Sequence, residues 1–440
     1  MTPLTAAETA PGHEDAPQNF EAYNLYLRGR HFWHKRTEAS LRRAVGFFQQ
    51  AIELDPGYAL AHSGLSDAWT LLTSRYYGNL PAEETVPRAL PAAKRALELD
   101  PQLAEAHASL GLVRENEGKL EEALQSLNRA MQLDPDYTMA HVWCGLVLVK
   151  HGAFAQAAQC NLDALQLDPL SPIINVNVGF DSLRWGDLEK ARATFTTAIE
   201  IDPDFPVSHY GLSRVYSLLG DFDSALREVG ESLRIAPNRA FYHAQKSMIL
   251  LQAGELDAAA QSVREARDLS PDNPFDADLV VAHYMALDDK ETLRSIACGE
   301  SSRTYTPGQR AQAQIALGDL DGARSLYETD PLDRKSELMN LVTDDWVWRL
   351  PHVINRAHLW KRAGDARGDE ELEGLLADLE GFASQGIANP LARYWAASAS
   401  ALLGREDEAR RLLDEARSLG WRHRWWERLD WNISALQQSD

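Results

Sequence analysis

Glu117-Gly118-Lys119, then Ala123, Leu127 and Ala130, then Leu133-Asp134-Pro135: this stretch decides the fold, because the chain repeats it. Prolines at Pro101, Pro135, Pro169, Pro203, Pro237 and Pro271 stand thirty-four residues apart. Each follows the same phrase, as in Leu99-Asp100-Pro101, Leu167-Asp168-Pro169 and Ile201-Asp202-Pro203. Small or apolar residues sit five, eight and twelve positions before each proline, such as Ala198, Phe195 and Ala191 before Pro203. Those spacings lie on one helical face. The proline stops the helix just past its end. A glycine-containing turn comes earlier in each unit, at Gly118, Gly152, Gly186, Gly220 and Gly254. Glycine there suits a left-handed cap closing a first helix. Each unit is therefore predicted to be two antiparallel helices and a tight turn.

A thirty-four-residue helical pair resembles the tetratricopeptide repeat. The expected fold is all-α, a right-handed superhelical solenoid of about ten or eleven repeats that share one continuous core. We expect a flexible tail over residues 1–18, seven well-formed repeats over 19–273, and divergent repeats with a Trp-rich cap over 274–440. The first repeat is read from Tyr26-Leu27-Arg28-Gly29 and Ala44, Phe48, Ala51 and Pro56. The second carries an insertion around Tyr76-Tyr77-Gly78-Asn79-Leu80-Pro81, and Pro91 should kink its second helix or delay its start. Asn273 to Glu300 keeps helical spacing but lacks the turn glycine. The cap is expected from Trp421, Trp425, Trp426 and Trp431; eight of twelve tryptophans follow residue 345, where a second partner surface is the alternative reading.

The remaining composition narrows the function. The 440 residues carry 65 acids against 44 bases, a net charge of −21. A basic face for phosphate contacts is missing, so no direct nucleic-acid partner is expected. The longest strongly apolar stretch free of charge, Tyr137 to Val149, is too short to cross a bilayer, and the N-terminus lacks a secretory pattern. Three cysteines, Cys144, Cys160 and Cys298, match no zinc or redox spacing and fit a reducing cytosol; Cys144 reads as a small buried hydrophobe. We therefore expect a cytoplasmic protein with no metal and no cofactor. No nucleophile–base set can be placed, so no enzyme is expected. Asn432-Ile433-Ser434 fits a glycosylation pattern but carries no weight without secretion.

The partner-binding face follows from the repeat register. The second, fifth, ninth and twelfth positions of each first helix are expected to point inward. They give Met139, Val142, Leu146 and Val149, then Ile173, Val176, Phe180 and Leu183, with Arg184 at the rim. Tyr210 and Arg214 follow, then Phe241 and Met248. So apolar a strip suits an amphipathic helix or extended peptide of a protein partner. The alternative is that curvature or the divergent C-terminal repeats cover it. Chaperone-binding relatives hold a carboxylate with Lys and Asn on this face. The corresponding positions here carry Ala108, Leu112, Val142 and Leu146, so that role is not expected. His62, His107, His141, His209 and His243 recur in register and read as packing residues, too far apart to share a metal. His31 and His34, beside Lys35, Arg36, Arg42 and Arg43, read as a solvated first helix.

The phrases Ala51-Ile52-Glu53-Leu54-Asp55-Pro56-Gly57-Tyr58-Ala59, Ala104-Glu105-Ala106-His107-Ala108-Ser109-Leu110 and Leu167-Asp168-Pro169-Leu170-Ser171-Pro172 resemble a bacterial subgroup. These are the repeat arms of winged-helix transcriptional regulators, nucleotide cyclases and serine/threonine kinases. The resemblance covers roughly residues 19–240 and implies a docking or sensory arm in a regulatory system. No effector domain is expected here, because the kinase phosphate loop and catalytic motifs are missing. Two readings follow: a non-catalytic interaction scaffold, or a ligand- or peptide-sensing module acting on a separately encoded regulator.

Overall fold

The Leu-Asp-Pro phrase works through its carboxylate. Asp55, Asp100, Asp134, Asp168 and Asp202 each accept a hydrogen bond from the backbone N–H two residues on, at 2.8–3.2 Å. This closes the chain after each second helix and turns it into the next repeat. The histidines lock the same corner. Nε2 of His62, His107, His141, His209 and His243 lies 2.9–3.2 Å from the carbonyl of the proline six residues earlier. Asn175 does the same for the Pro169 carbonyl at 3.0 Å. The histidine register is thus a repeat-boundary latch.

The computed structural model describes residues 19–74, 76–78, 80–270, 281, 284–298, 305–329, 350–422 and 430. Among them every regular element is a helix. Two compact units divide the chain, residues 1–147 and 148–440. The first unit contains α1 (Phe20–His34), α2 (Glu38–Leu54), α3 (Ala59–Leu71), α4 (Ala82–Leu99), α5 (Ala104–Asn116) and α6 (Leu120–Leu133). The boundary falls inside α7 (Thr138–Lys150). The second unit continues with α8 (Phe154–Leu167), α9 (Pro172–Arg184), α10 (Leu188–Ile201), α11 (Pro206–Leu219), α12 (Phe222–Ile235), α13 (Ala240–Ala253) and α14 (Leu256–Leu269). Then come α15 (Lys290–Cys298), α16 (Pro307–Leu317), α17 (Leu320–Glu328), α18 (Leu350–Arg362), α19 (Arg367–Ser384), α20 (Pro390–Leu402) and α21 (Glu406–Ser418).

Within each unit the first helices of neighbouring pairs touch, α1 with α3, α3 with α5, and α9 with α11. They form one layer, and the second helices pack behind it. The core between the layers is set by size. Phe195 of α10 is fully buried and fills the gap between Gly179 and Gly211; a Cβ on Gly179 would come within 2.7 Å of its ring. Alanines such as Ala191, Ala198 and Ala225, all fully buried, let the helices close around such large residues.

Three local features bear on those expectations. α4 begins at Ala82 and runs through both Pro87 and Pro91, so Pro91 does not delay its start. Both prolines lie on the exposed face, where water can satisfy the carbonyls they leave unpaired. The unit after Pro271 does have its turn: Asp288 takes the glycine position with φ +52°, and Asp289 N–H reaches the Tyr284 carbonyl at 3.0 Å. Aspartate tolerates that conformation better than most residues. Trp421 packs within the second unit. It is buried and stacks on Tyr394 at 4.1 Å between ring centroids. Trp425, Trp426 and Trp431, the glycosylation pattern and the N-terminal tail lie outside the described residues.

Candidate functional site

Two faces built by first helices carry the chemistry, one in each unit. The register places the expected strip as follows. In the first unit, Met139 and Val142 are buried and Leu146 is 39% exposed. In the second unit, Val176, Leu183, Tyr210, Phe241 and Met248 are buried, while Val149, Ile173, Phe180, Arg184 and Arg214 are half-buried. The aromatic members form a ladder. Phe180 and Tyr210 ring centroids are 5.9 Å apart, and Tyr210 and Phe241 are 4.9 Å apart and edge-on. The Arg214 guanidinium lies 5.9 Å from both the Phe180 and the Tyr210 rings.

Much of this face in the second unit meets the C-terminal part of the same unit. The Ala388 N–H donates to the Arg184 carbonyl at 3.1 Å. Phe382 sits edge-on to Phe154 at 5.9 Å, in a cluster completed by Val149, Trp185 and Ile387. Gly420 is so close to Leu218 that a Cβ would fall 2.9 Å from the Leu218 carbonyl oxygen. A partly open cleft of about 100 Å³ remains where Tyr210, Arg214, Ser217 and Gln252 face Leu391 and Trp421. Arg184 is held beside it. Its Nη1 lies 2.6 Å from Asp181, whose other oxygen accepts from Asn161 at 2.7 Å. Burial raises the Asp181 carboxyl despite these partners.

The first unit presents a different face. Counted in the same register, the fifth and ninth positions are Tyr26 and Arg30 on α1, and Ser63 and Asp67 on α3. Asp67 is 1% exposed and accepts a hydrogen bond from Ser109 Oγ at 2.6 Å; Ser109 Oγ is also 2.6 Å from Ser63 Oγ. Burial pushes the Asp67 carboxyl up to about 7, against the opposing pull of Ser109, Arg30 and Arg36. The Arg30 guanidinium lies 4.7 Å from the Trp33 ring. Burial works against its charge, but Tyr26, Tyr137, Asp67 and Glu105 around it raise its pKa further. Sequence reasoning tested the polar-clamp idea only in later repeats. The signal for this cluster was present in the same positions of the first two.

Among the described residues no group of three or more His, Cys, Asp or Glu side chains could hold a metal ion. No helix there is long and apolar enough to cross a membrane. Cys144 is buried, and both it and Cys160 are disulfide-bonded, whereas Cys298 is an exposed free thiol.

Comparison with known proteins identifies tetratricopeptide repeats. Models described as TPR repeat or tetratricopeptide repeat match residues 116–152, 183–249, and 308–329 with 390–415. No curated protein matches the chain. Among solved structures, the human IFIT1 dimer with PPP-AAAA has a TM-score of 0.51 at 18% identity, over 69% of this chain and 71% of that one. Yeast Tom70 gives 0.39 at 14% identity, over 95% and 96%. Pseudomonas aeruginosa pilF gives 0.39 at 19% identity, over 52% and 98%. For the human IFIT1 dimer, at 18% identity, the likeness is one of fold. The all-α solenoid of helical repeats stands, and tetratricopeptide proteins generally serve as protein-interaction scaffolds. The resemblance to regulator, cyclase and kinase arms finds no counterpart in these comparisons.

Proposed function

We propose that this chain is a non-catalytic scaffold that holds a short peptide segment of a protein partner on the face formed by α9, α11 and α13. The carrying observation is the cleft beside Tyr210 and Arg214. At about 100 Å³ it is well below the size of an ordinary ligand or cofactor pocket, about 300–1,000 Å³. It suits a single apolar side chain. Its lining mixes apolar side chains, among them Leu183, Met248, Leu391 and Trp421, with the polar Arg184, Arg214, Gln245 and Asn389; Ser217 Oγ donates to Gln252 and Ser213 Oγ to the Tyr210 carbonyl. The partner is therefore read as a peptide with one apolar anchor. The half-buried Phe180 and Ile173 extend the apolar contact along the strip. The phrases that resemble bacterial regulatory arms motivate a place in signalling or transcriptional control.

The test is selection of a displayed random-peptide library on the purified chain, followed by calorimetry with the enriched peptides. Peptides sharing one apolar anchor are expected. A Phe180→Glu/Arg214→Glu chain with unchanged helical circular dichroism should bind them at least tenfold more weakly. Equal affinity in that variant would remove the site.

A further inference from the structure

Arg36 occupies a place that the five repeats after the insertion give to glycine. It stands at the turn after the first helix, in register with Gly118, Gly152, Gly186, Gly220 and Gly254, all of which have φ between +74° and +86°. Arg36 adopts φ +49°, and only Asp288 shares positive φ with it among the described non-glycine residues. An arginine there strains the backbone and, unlike Asp or Asn, has no short polar side chain to offset the strain with a local hydrogen bond. Its side chain does not escape to solvent. Arg36 is 2% exposed, with its guanidinium 3.8 Å from the Trp33 ring and 5.8 Å from the Tyr77 ring. Tyr77, also buried, comes from the insertion that separates α3 from α4.

A strained and buried cation is normally paired, because an unpaired one is strongly destabilising. Here Nη2 of Arg36 is buried and has no hydrogen-bond partner. The same is true of Trp33 Nε1, Tyr137 Oη and Ser66 Oγ. Arg36, Arg30 and Tyr137 all interact electrostatically with Asp67, which gathers them on the face of the first unit. Burial lowers the Arg36 pKa to about 10, which leaves it charged at neutral pH. Asp67, with its carboxyl pushed up to about 7, opposes an incoming anion less than an ordinary aspartate would. The surplus is therefore of donors: a guanidinium N–H, an indole N–H and hydroxyls that lack acceptors.

We propose that the first unit holds a small-molecule oxyanion, a carboxylate or a phosphate, with Arg36 as its principal ligand. Arg30 adds a second positive charge, and Tyr137 Oη, with Trp33 Nε1, completes the donor set. The planar guanidinium, held 3.8 Å from the Trp33 ring, offers its Nη2 as a charge-assisted donor to such a group. The site does not depend on the peptide cleft of the second unit, and each can fail alone.

Calorimetric titration of the full chain with potassium phosphate and, separately, potassium acetate at constant ionic strength tests this. Saturable one-to-one binding of at least one anion is expected, and which one binds identifies the group. Arg36→Gly restores the residue the other turns use. It should weaken that binding at least tenfold while raising the melting temperature, because both the backbone strain and a buried N–H without a hydrogen-bond partner are removed. Arg36→Lys, with its point charge, should bind with intermediate affinity. Absence of saturable binding by both anions overturns the proposal. Equal affinity in the Arg36→Gly chain overturns it as well.

Discussion

The two units use the same repeat in opposite ways. In the first, the fifth and ninth positions of the first two repeats are Tyr26, Arg30, Ser63 and Asp67, and charge is gathered on the face they share. In the second, the corresponding face is aromatic and aliphatic, and Phe382, Ala388, Gly420 and Trp421 of the same unit pack against residues of its repeats. The difference teaches that repeat positions pointing the same way are not equivalent surfaces. An apolar strip on a solenoid invites its own chain as readily as a partner. A polar one resists such cover, since burying it would leave charges without partners.

The largest expected effect comes from removing the C-terminal contact. Trp421→Ala should lower stability by about 3–5 kcal/mol, as for other buried Trp or Phe truncations. It should also speed proteolysis between α19 and α20, because Trp421 lines the cleft with Leu391 and stacks on Tyr394. Urea unfolding and timed digestion measure both. If the variant unfolds like the native chain, the C-terminal packing of the second unit contributes little.

Asp67→Asn sharpens the polar side of the comparison. The folded state holds the Asp67 proton up to about pH 7, whereas the unfolded chain releases it near its ordinary value of 3.8. Between those values the folded state binds more protons, so stability falls as pH rises and then levels above about 7. The substituted amide keeps the shape of the carboxyl without its charge. The variant should lose that downward slope and gain roughly 2–4 kcal/mol relative to the native chain at pH 8. Urea midpoints from pH 4.5 to 8 report it, and parallel profiles for the two chains contradict it.

The smallest effect is a paired one. Gly118 and Gly186 share φ +74°, but a Cβ on Gly118 meets nothing within 4 Å, whereas one on Gly186 meets the Ala388 Cβ at 2.7 Å. Gly118→Ala should cost only the left-handed strain, about 1 kcal/mol. Gly186→Ala should cost about 1–2 kcal/mol more, from overpacking. Equal melting shifts would mean that the Ala388 segment yields freely.

The repeat fold was readable because its determinants are local. The Asp before most of the repeat prolines, the turn glycine and the alanine spacing act within a few residues, so the order of letters carries them. The histidine register was legible as packing, although its bond to the proline carbonyl needed coordinates. The polar cluster was half legible: the register names Arg30 and Asp67, but nothing in the sequence marks Arg36 as buried or its turn as left-handed. Only tertiary structure could decide that Phe382 meets Phe154, and that Trp421 meets Tyr394 and lines the cleft beside Tyr210. Such contacts join segments far apart in the chain, through side chains that look the same in sequence whether they face solvent, a partner or another repeat. The amino-acid order sets what each helix pair is; which surfaces remain open depends on where the later pairs come to rest.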